Sequence, residues 1–180
     1  MMLEEGDSNA FEELIEREGY LLRSSDEVDR QYNAAIISGS SVTVGSIPLL
    51  GHHLLAEGPI RAPRVSAGSA AGPQRASECS GELQHGVEAA QICVINGLAL
   101  IRSKVASLSE LKAVTELTLF INADPDFTQK DEILEAAISL LSSLYPLSPD
   151  FVADVLDSSY LPMNSSVSLA ITFSMDDEAA

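Results

Sequence analysis

Tryptophan is missing, aromatic residues make up only 5% of the chain, and 180 residues include just two cysteines. The lack of aromatics means that a core must be built from Leu, Ile, Val and Ala. Two cysteines, Cys79 and Cys93, are too few for a disulfide scaffold, so a reducing compartment is the default. Basic residues are scarce as well: ten Lys and Arg stand against 27 Asp and Glu, for a formal charge of −17 and a pI near 4.3. Nucleic acids and anionic membranes both need cations to meet phosphates, so neither is expected as a partner. No apolar stretch approaches the ~20 residues that cross a bilayer. The opening MMLEEGDSNAFEELIERE lacks both the basic start and apolar run of a secretory signal and the Arg-rich, acid-poor character of a transit peptide. The expectation is a cytoplasmic protein.

What is present suffices for one folded domain. Hydrophobic residues reach 46% and mean hydropathy is +0.14, which excludes wholesale disorder. Ser8, Phe11, Leu14 and Ile15 predict a short N-terminal helix ending at Gly19, followed by a polar acidic segment to about residue 30. Ala34–Ile37 and Val42–Val44 flank Ser38-Gly39-Ser40-Ser41 and predict a hairpin. Residues 57–86 are rich in Gly, Pro and Ser without an apolar period, which predicts a flexible insertion carrying Arg61, Arg64 and Arg75. Val87, Ala90, Val94, Leu98, Ile101 and Val105 recur at helical spacing. Residues 113–121 form the best strand, with apolar residues on both parities, and suggest a central strand covered on both faces. A second helix runs from about Asp131 to Tyr145, stopped by Pro146 and Pro149. Runs near 152–160 and 166–174 predict two last strands before an acidic tail at 176–180. This order predicts an α+β domain over residues 31–175: a mixed, mostly antiparallel sheet backed by two helices on one face, with an extra N-terminal helix.

Chemistry is harder to find. Gly39-Ser40-Ser41 and Gly45-Ser46 lack the spacing and the lysine of a phosphate loop, and there is no HExxH, CxxC or EF-hand pattern. His52, His53, His85 and Cys79 do not have metal-ligand spacing, so no metal is expected. Cys93 lies among apolar residues and reads as a core filler, Cys79 as an incidental thiol. Spacing alone therefore points to no catalytic residue, cofactor or metal.

A resemblance adds to this. Ala89-Ala-Gln-Ile-Cys-Val-Ile-Asn-Gly-Leu-Ala-Leu-Ile101, then Leu111–Asn122, then Pro125-Asp-Phe-Thr128 resemble the helix, strand and turn of the Rid/YjgF family, the reactive-intermediate imine deaminases also labelled endoribonuclease L-PSP. Tyr32, Ile36-Ile-Ser-Gly39 and Val44-Gly-Ser-Ile-Pro48 resemble its upstream tyrosine and strand end, and Leu161-Pro162 with Val167–Ile171 its closing hairpin. The resemblance implies a chorismate-mutase-like fold with a six-stranded mixed sheet and two helices. It also implies a trimer with ligand clefts between subunits and cofactor-free hydrolysis of imines and enamines. An arginine would grip the substrate carboxylate, since a planar guanidinium matches it bidentately, and a glutamate would position water. Those two positions fall on Ala153 and Ala170, and no Lys or Arg follows Lys130. The expected cleft is thus formed by Tyr32, Gly45, Ser46, Asn122, Ala153 and Ala170. The expected protein is a family-like homotrimer, or a hetero-oligomer with a related chain, that has lost deaminase activity and serves as a binding or structural subunit. The alternative is a deaminase or small-molecule binder using divergent cleft residues at the subunit interface.

Overall fold

The structure, a computed structural model, describes Glu13, residues 34–62 and residues 73–175. Apart from Glu13, the expected helix at 8–19 lies outside the described residues, as do Tyr32, Arg64 and the tail at 176–180. Strands β1 (Ala34–Ser38) and β2 (Ser41–Ser46) form the expected hairpin across Gly39, whose φ of +57° is the left-handed conformation such a turn requires. A two-stranded ribbon, β3 (Leu49–Leu50) and β4 (His53–Leu54), follows. Helix α1 (Pro73–Arg102), strand β5 (Leu111–Ile121), helix α2 (Lys130–Leu144), strand β6 (Leu147–Asp157) and strand β7 (Val167–Met175) complete the chain. The main sheet has the order β1-β2-β7-β5-β6; only the β5–β6 pair is parallel, joined through α2. The α+β class, the mostly antiparallel sheet and the two backing helices are therefore as the sequence predicts. Among the described residues the main sheet holds five strands rather than six, and β3–β4 pair only with each other.

The core lies between the sheet and the helices. Val42, Val44, Leu117, Leu119, Ile121, Leu169, Ile171 and Phe173 point inward from alternate strand positions and meet Val94, Leu98 and Ile101 of α1 and Ile133, Ala137 and Leu141 of α2. Tyr145 packs edge-on against Phe173 at 5.3 Å and donates its hydroxyl to the carbonyl of Leu108. Asn96, almost fully buried, donates through Nδ2 to the carbonyls of Ile47 (3.0 Å) and Leu49 (2.9 Å), tying α1 to the chain as it leaves β2. No helix among the described residues is long and apolar enough to cross a membrane.

Two sequence expectations need correction. Helix α1 begins at Pro73, not Val87, so the later part of the 57–86 segment is helical. Proline is tolerated in a first helical turn, and Leu83 and Val87 pack against the core although the surrounding Gly, Ser and Ala hide the period. The start of that segment is also held. Gly58 N–H donates to the Asn164 carbonyl, Ile60 N–H to Asn122, Asp124 N–H to Ile60, and Ser166 Oγ to the Gly58 carbonyl. Strand β5 is central, but helices cover only one of its faces: Leu117, Leu119 and Ile121 are buried while Thr118 and Phe120 are half-buried and Glu116 is exposed.

Cys93 is fully buried, and burial pushes its thiol pKa well above the ordinary value. In a Cys79→Ser variant the remaining thiol should therefore resist a disulfide reagent until denaturant is added. Stoichiometric labelling of the native protein within minutes would contradict that burial.

Candidate functional site

The uncovered face of the sheet is where the resemblance places its cleft, and strand register determines what stands there. One row across the face runs Ala34, Gly45, Ala170, Thr118, Asp154; the next runs Ile36, Thr43, Thr172, Glu116, Val152. Gly45 and Ala170 are direct cross-strand partners, so two of the expected cleft residues do meet. With no side chain on one and a methyl on the other, this spot on the face carries little bulk. It is bordered by the Thr43 and Thr172 hydroxyls, 3.0 Å apart and hydrogen-bonded. The charged side chains in these two rows are Glu116 and Asp154, both exposed. A carboxylate arriving here meets hydroxyls, methyls and two like charges, and nothing resembling the fork of an arginine.

The other expected residues are placed elsewhere. Ser46 is turned inward: its Oγ donates to the Cys93 carbonyl at 2.8 Å, and its own carbonyl accepts from Ser168 Oγ at 2.9 Å. Its neighbour Gly45 therefore faces the open side, as strand alternation requires. Ala153 packs half-buried against the core on the helix side, and the open-face positions beside it are Val152 and Asp154. Asn122 lies past the end of β5, in a separate cleft with Lys130, Asp157, Ser158 and Ser159. Among the described residues no group of three or more His, Cys, Asp or Glu could hold a metal ion.

Glu116 and Asp154 are site residues that motif reading passed over. The signal that finds them is alternation along strands 111–121 and 147–157, but it becomes informative only when the pairing to Ala170 is known.

Neither a family model nor a curated protein matches the sequence. Solved structures do. The protein Atu1372, of unknown function, from Agrobacterium tumefaciens is 21% identical, with a TM-score of 0.70 over 95% of this chain and 96% of that one. A candidate endoribonuclease from Shewanella oneidensis MR-1 is 17% identical, with a TM-score of 0.71 over 92% of this chain and 99% of that one. The fold is the Rid/YjgF fold. A candidate endoribonuclease from Thermotoga maritima is more distant, at 14% identity and a TM-score of 0.50 over 87% and 98% of the two chains. Within this fold the present chain has Gly45 opposite Ala170 on the open sheet face, with no basic side chain in the rows around them.

Proposed function

We propose that this chain is a Rid/YjgF-fold subunit without imine deaminase activity, assembling through the open face of its sheet and acting as a binding or structural component. The observation that carries this reading is the Gly45–Ala170 pair, whose row and the next hold Glu116 and Asp154 as their charged side chains. Losing a charge-assisted contact costs roughly 1.5–3 kcal/mol in binding alone, before any loss of chemistry. Purified protein should leave the hydrolysis of 2-iminobutanoate at the buffer rate. A rate well above buffer that falls in a Glu116→Gln or Asp154→Asn variant would overturn the reading.

Assembly is supported by apolar groups on the uncovered face. Ile36 is 67%, Val152 52% and Leu156 49% exposed, and Phe120 lies half-buried beside Leu156. Burying such side chains stabilises by roughly 1.5–3 kcal/mol each at full burial. Opposing this, a homotrimer carries 3 × −17 = −51 formal charges, and each copy brings Glu116 and Asp154 to the contact. Added salt should therefore strengthen self-association by screening. Sedimentation at tens of micromolar should show a trimer that tightens between low and high salt. A monomer at both salts would refute the homotrimer, and association weakened by salt would point to a basic related chain as the partner. A cytoplasmic location fits the two-cysteine composition.

A further inference from the structure

The two edges of the main sheet are built differently. Strand β6 forms one edge and carries Pro149 and three exposed carboxylates, Asp150, Asp154 and Asp157. Proline and charge guard an unpaired edge, because both spoil the addition of a further strand. Strand β1 forms the other edge and has neither. Its residues are Ala34, Ala35, Ile36, Ile37 and Ser38, with Ile36 67% and Ile37 44% exposed. The bare edge belongs to a longer pattern: residues 31–56 contain no Asp, Glu, Lys or Arg, the longest such run in a chain of net charge −17. The acidic repulsion that opposes self-contact elsewhere on this protein therefore has no local source in β1 or β2.

The geometry of pairing follows from the hairpin. Ser38 and Ser41 close the two-residue turn Gly39-Ser40 as a hydrogen-bonded pair, so Ile36–Thr43 and Ala34–Gly45 are the next such pairs. The N–H and C=O groups of Ala35 and Ile37 therefore point off the edge, where no described strand pairs with β1. An antiparallel strand centred opposite Ile36 takes all four of these groups. When that strand is β1 of a second copy, Ala35 meets the partner's Ile37, Ala34 meets the partner's Ser38, and Ile36 meets its own counterpart. Each large side chain on the helix side then stands opposite a methyl, the exposed Ile36 side chains cover each other, and no charge is brought to the contact. Strand β6 of a second copy would bring Pro149, Asp150, Asp154 and Asp157 instead.

We propose that β1 pairs with β1 of a second copy of this chain, antiparallel and about a two-fold axis at Ile36, so that two sheets join into one. The contact is separate from the open-face assembly proposed above, since it uses backbone groups that face packing leaves alone. Five residues on each side bury less than the ~1,200 Å² of an ordinary interface, so the pairing belongs to the weak, reversible class. Disulfide trapping of the full-length protein suits such a contact. Facing Cα atoms in a non-hydrogen-bonded antiparallel pair lie about 4.5 Å apart, within the range a disulfide spans. In a Cys79→Ser background, Ile36→Cys should form a covalent dimer under mild oxidation. Ala34→Cys mixed with Ser38→Cys should form one at least several-fold faster than either alone. Ala35→Pro removes an outward donor that the β1–β2 ladder does not use, and should slow the trapping of Ile36→Cys about tenfold or more. If that variant is unfolded by circular dichroism, Ile37→Glu, on the helix side of the edge, should slow trapping to a similar extent by adding acid to an acid-free contact. Absence of trapping in Ile36→Cys, equal trapping with Ala35→Pro or Ile37→Glu in a folded protein, or trapping of Ala34→Cys or Ser38→Cys alone as fast as of the mixture would each overturn the proposal. So would slow amide exchange at Ala35 and Ile37 in dilute monomer, which would mean that the same chain covers its own edge. A trimer that fails to form in sedimentation leaves this trapping intact, and a failure to trap leaves the trimer standing.

Discussion

Replacing Asn96 with alanine should lower the thermal midpoint by about 10 °C, a loss of roughly 3–4 kcal/mol. The one Nδ2 of Asn96 donates to two buried carbonyls, those of Ile47 and Leu49, and the Ile47 carbonyl also accepts from the Leu49 N–H. A lost buried hydrogen bond costs about 1 kcal/mol and more where the acceptor keeps no other donor, and the cavity left by the amide adds to that. Water cannot easily replace the amide, because Ile47, Pro48 and Leu49 are themselves buried. Asn96→Asp should be nearly as damaging, since a carboxylate at that site offers no donor and resists burial. Thr43→Ala, on the open face, should shift the midpoint by no more than a degree or two. Melting at fixed protein concentration, needed because assembly would couple to stability, measures all three. A midpoint for Asn96→Ala within a few degrees of the parent would show that Asn96 is not the tie between α1 and the end of β2.

Gly86→Val should be the other severe substitution. Gly86 is buried in α1 where that helix crosses Ile133 of α2 and Ile60, and a Cβ there would come within 2.5 Å of Ile133 Cδ1 and 3.0 Å of Ile60 Cδ1. A glycine inside a helix normally destabilises it by ~1 kcal/mol, so its presence needs a packing reason, and this contact supplies one. Valine adds two methyls beyond that Cβ, and forcing volume into a filled core costs about 1–3 kcal/mol or more. Denaturant unfolding should show a loss of that size. Pairing Gly86→Val with Ile133→Ala should recover part of it, because the second change vacates the space the first one needs. Simple additivity of the two losses would place the clash elsewhere. Gly45→Ala is the contrasting case: its Cβ meets nothing within 4 Å, so stability should barely change.

Much of this architecture was legible from residue order. Helix α2 and the β1–β2 hairpin follow from periods that any short window contains: Ile133, Leu134, Ala137, Ile138 and Leu141 mark one face of a helix, and Ala34–Ile37 with Val42–Val44 mark strands around a Gly/Ser turn. These are local preferences, repeated within one element, so tertiary contacts had only to agree with them. The absence of arginine and lysine after Lys130 was equally plain, and it constrains the chemistry of the two closing strands before any coordinates are known.

What the residue order did not contain was which side of each element would be covered, and by what. Helix α1 reaches back to Pro73 because Leu83 and Val87 find the core, a gain that exists only after α2 and the sheet are in place. Ser46 stands next to Gly45 in sequence, yet alternation sends one hydroxyl to the Cys93 carbonyl and leaves the other position facing outward opposite Ala170. Ala153 turns to the helices while Val152 and Asp154 face out, because β6 pairs with β5 in a parallel register that no local pattern encodes. Asn122 and Lys130 likewise come to share a cleft with Asp157 only through the crossover of α2. The period of each element is a property of neighbouring residues; the register between strands far apart in the chain is decided by the fit of whole faces, and it is register that determines which side chains share a site.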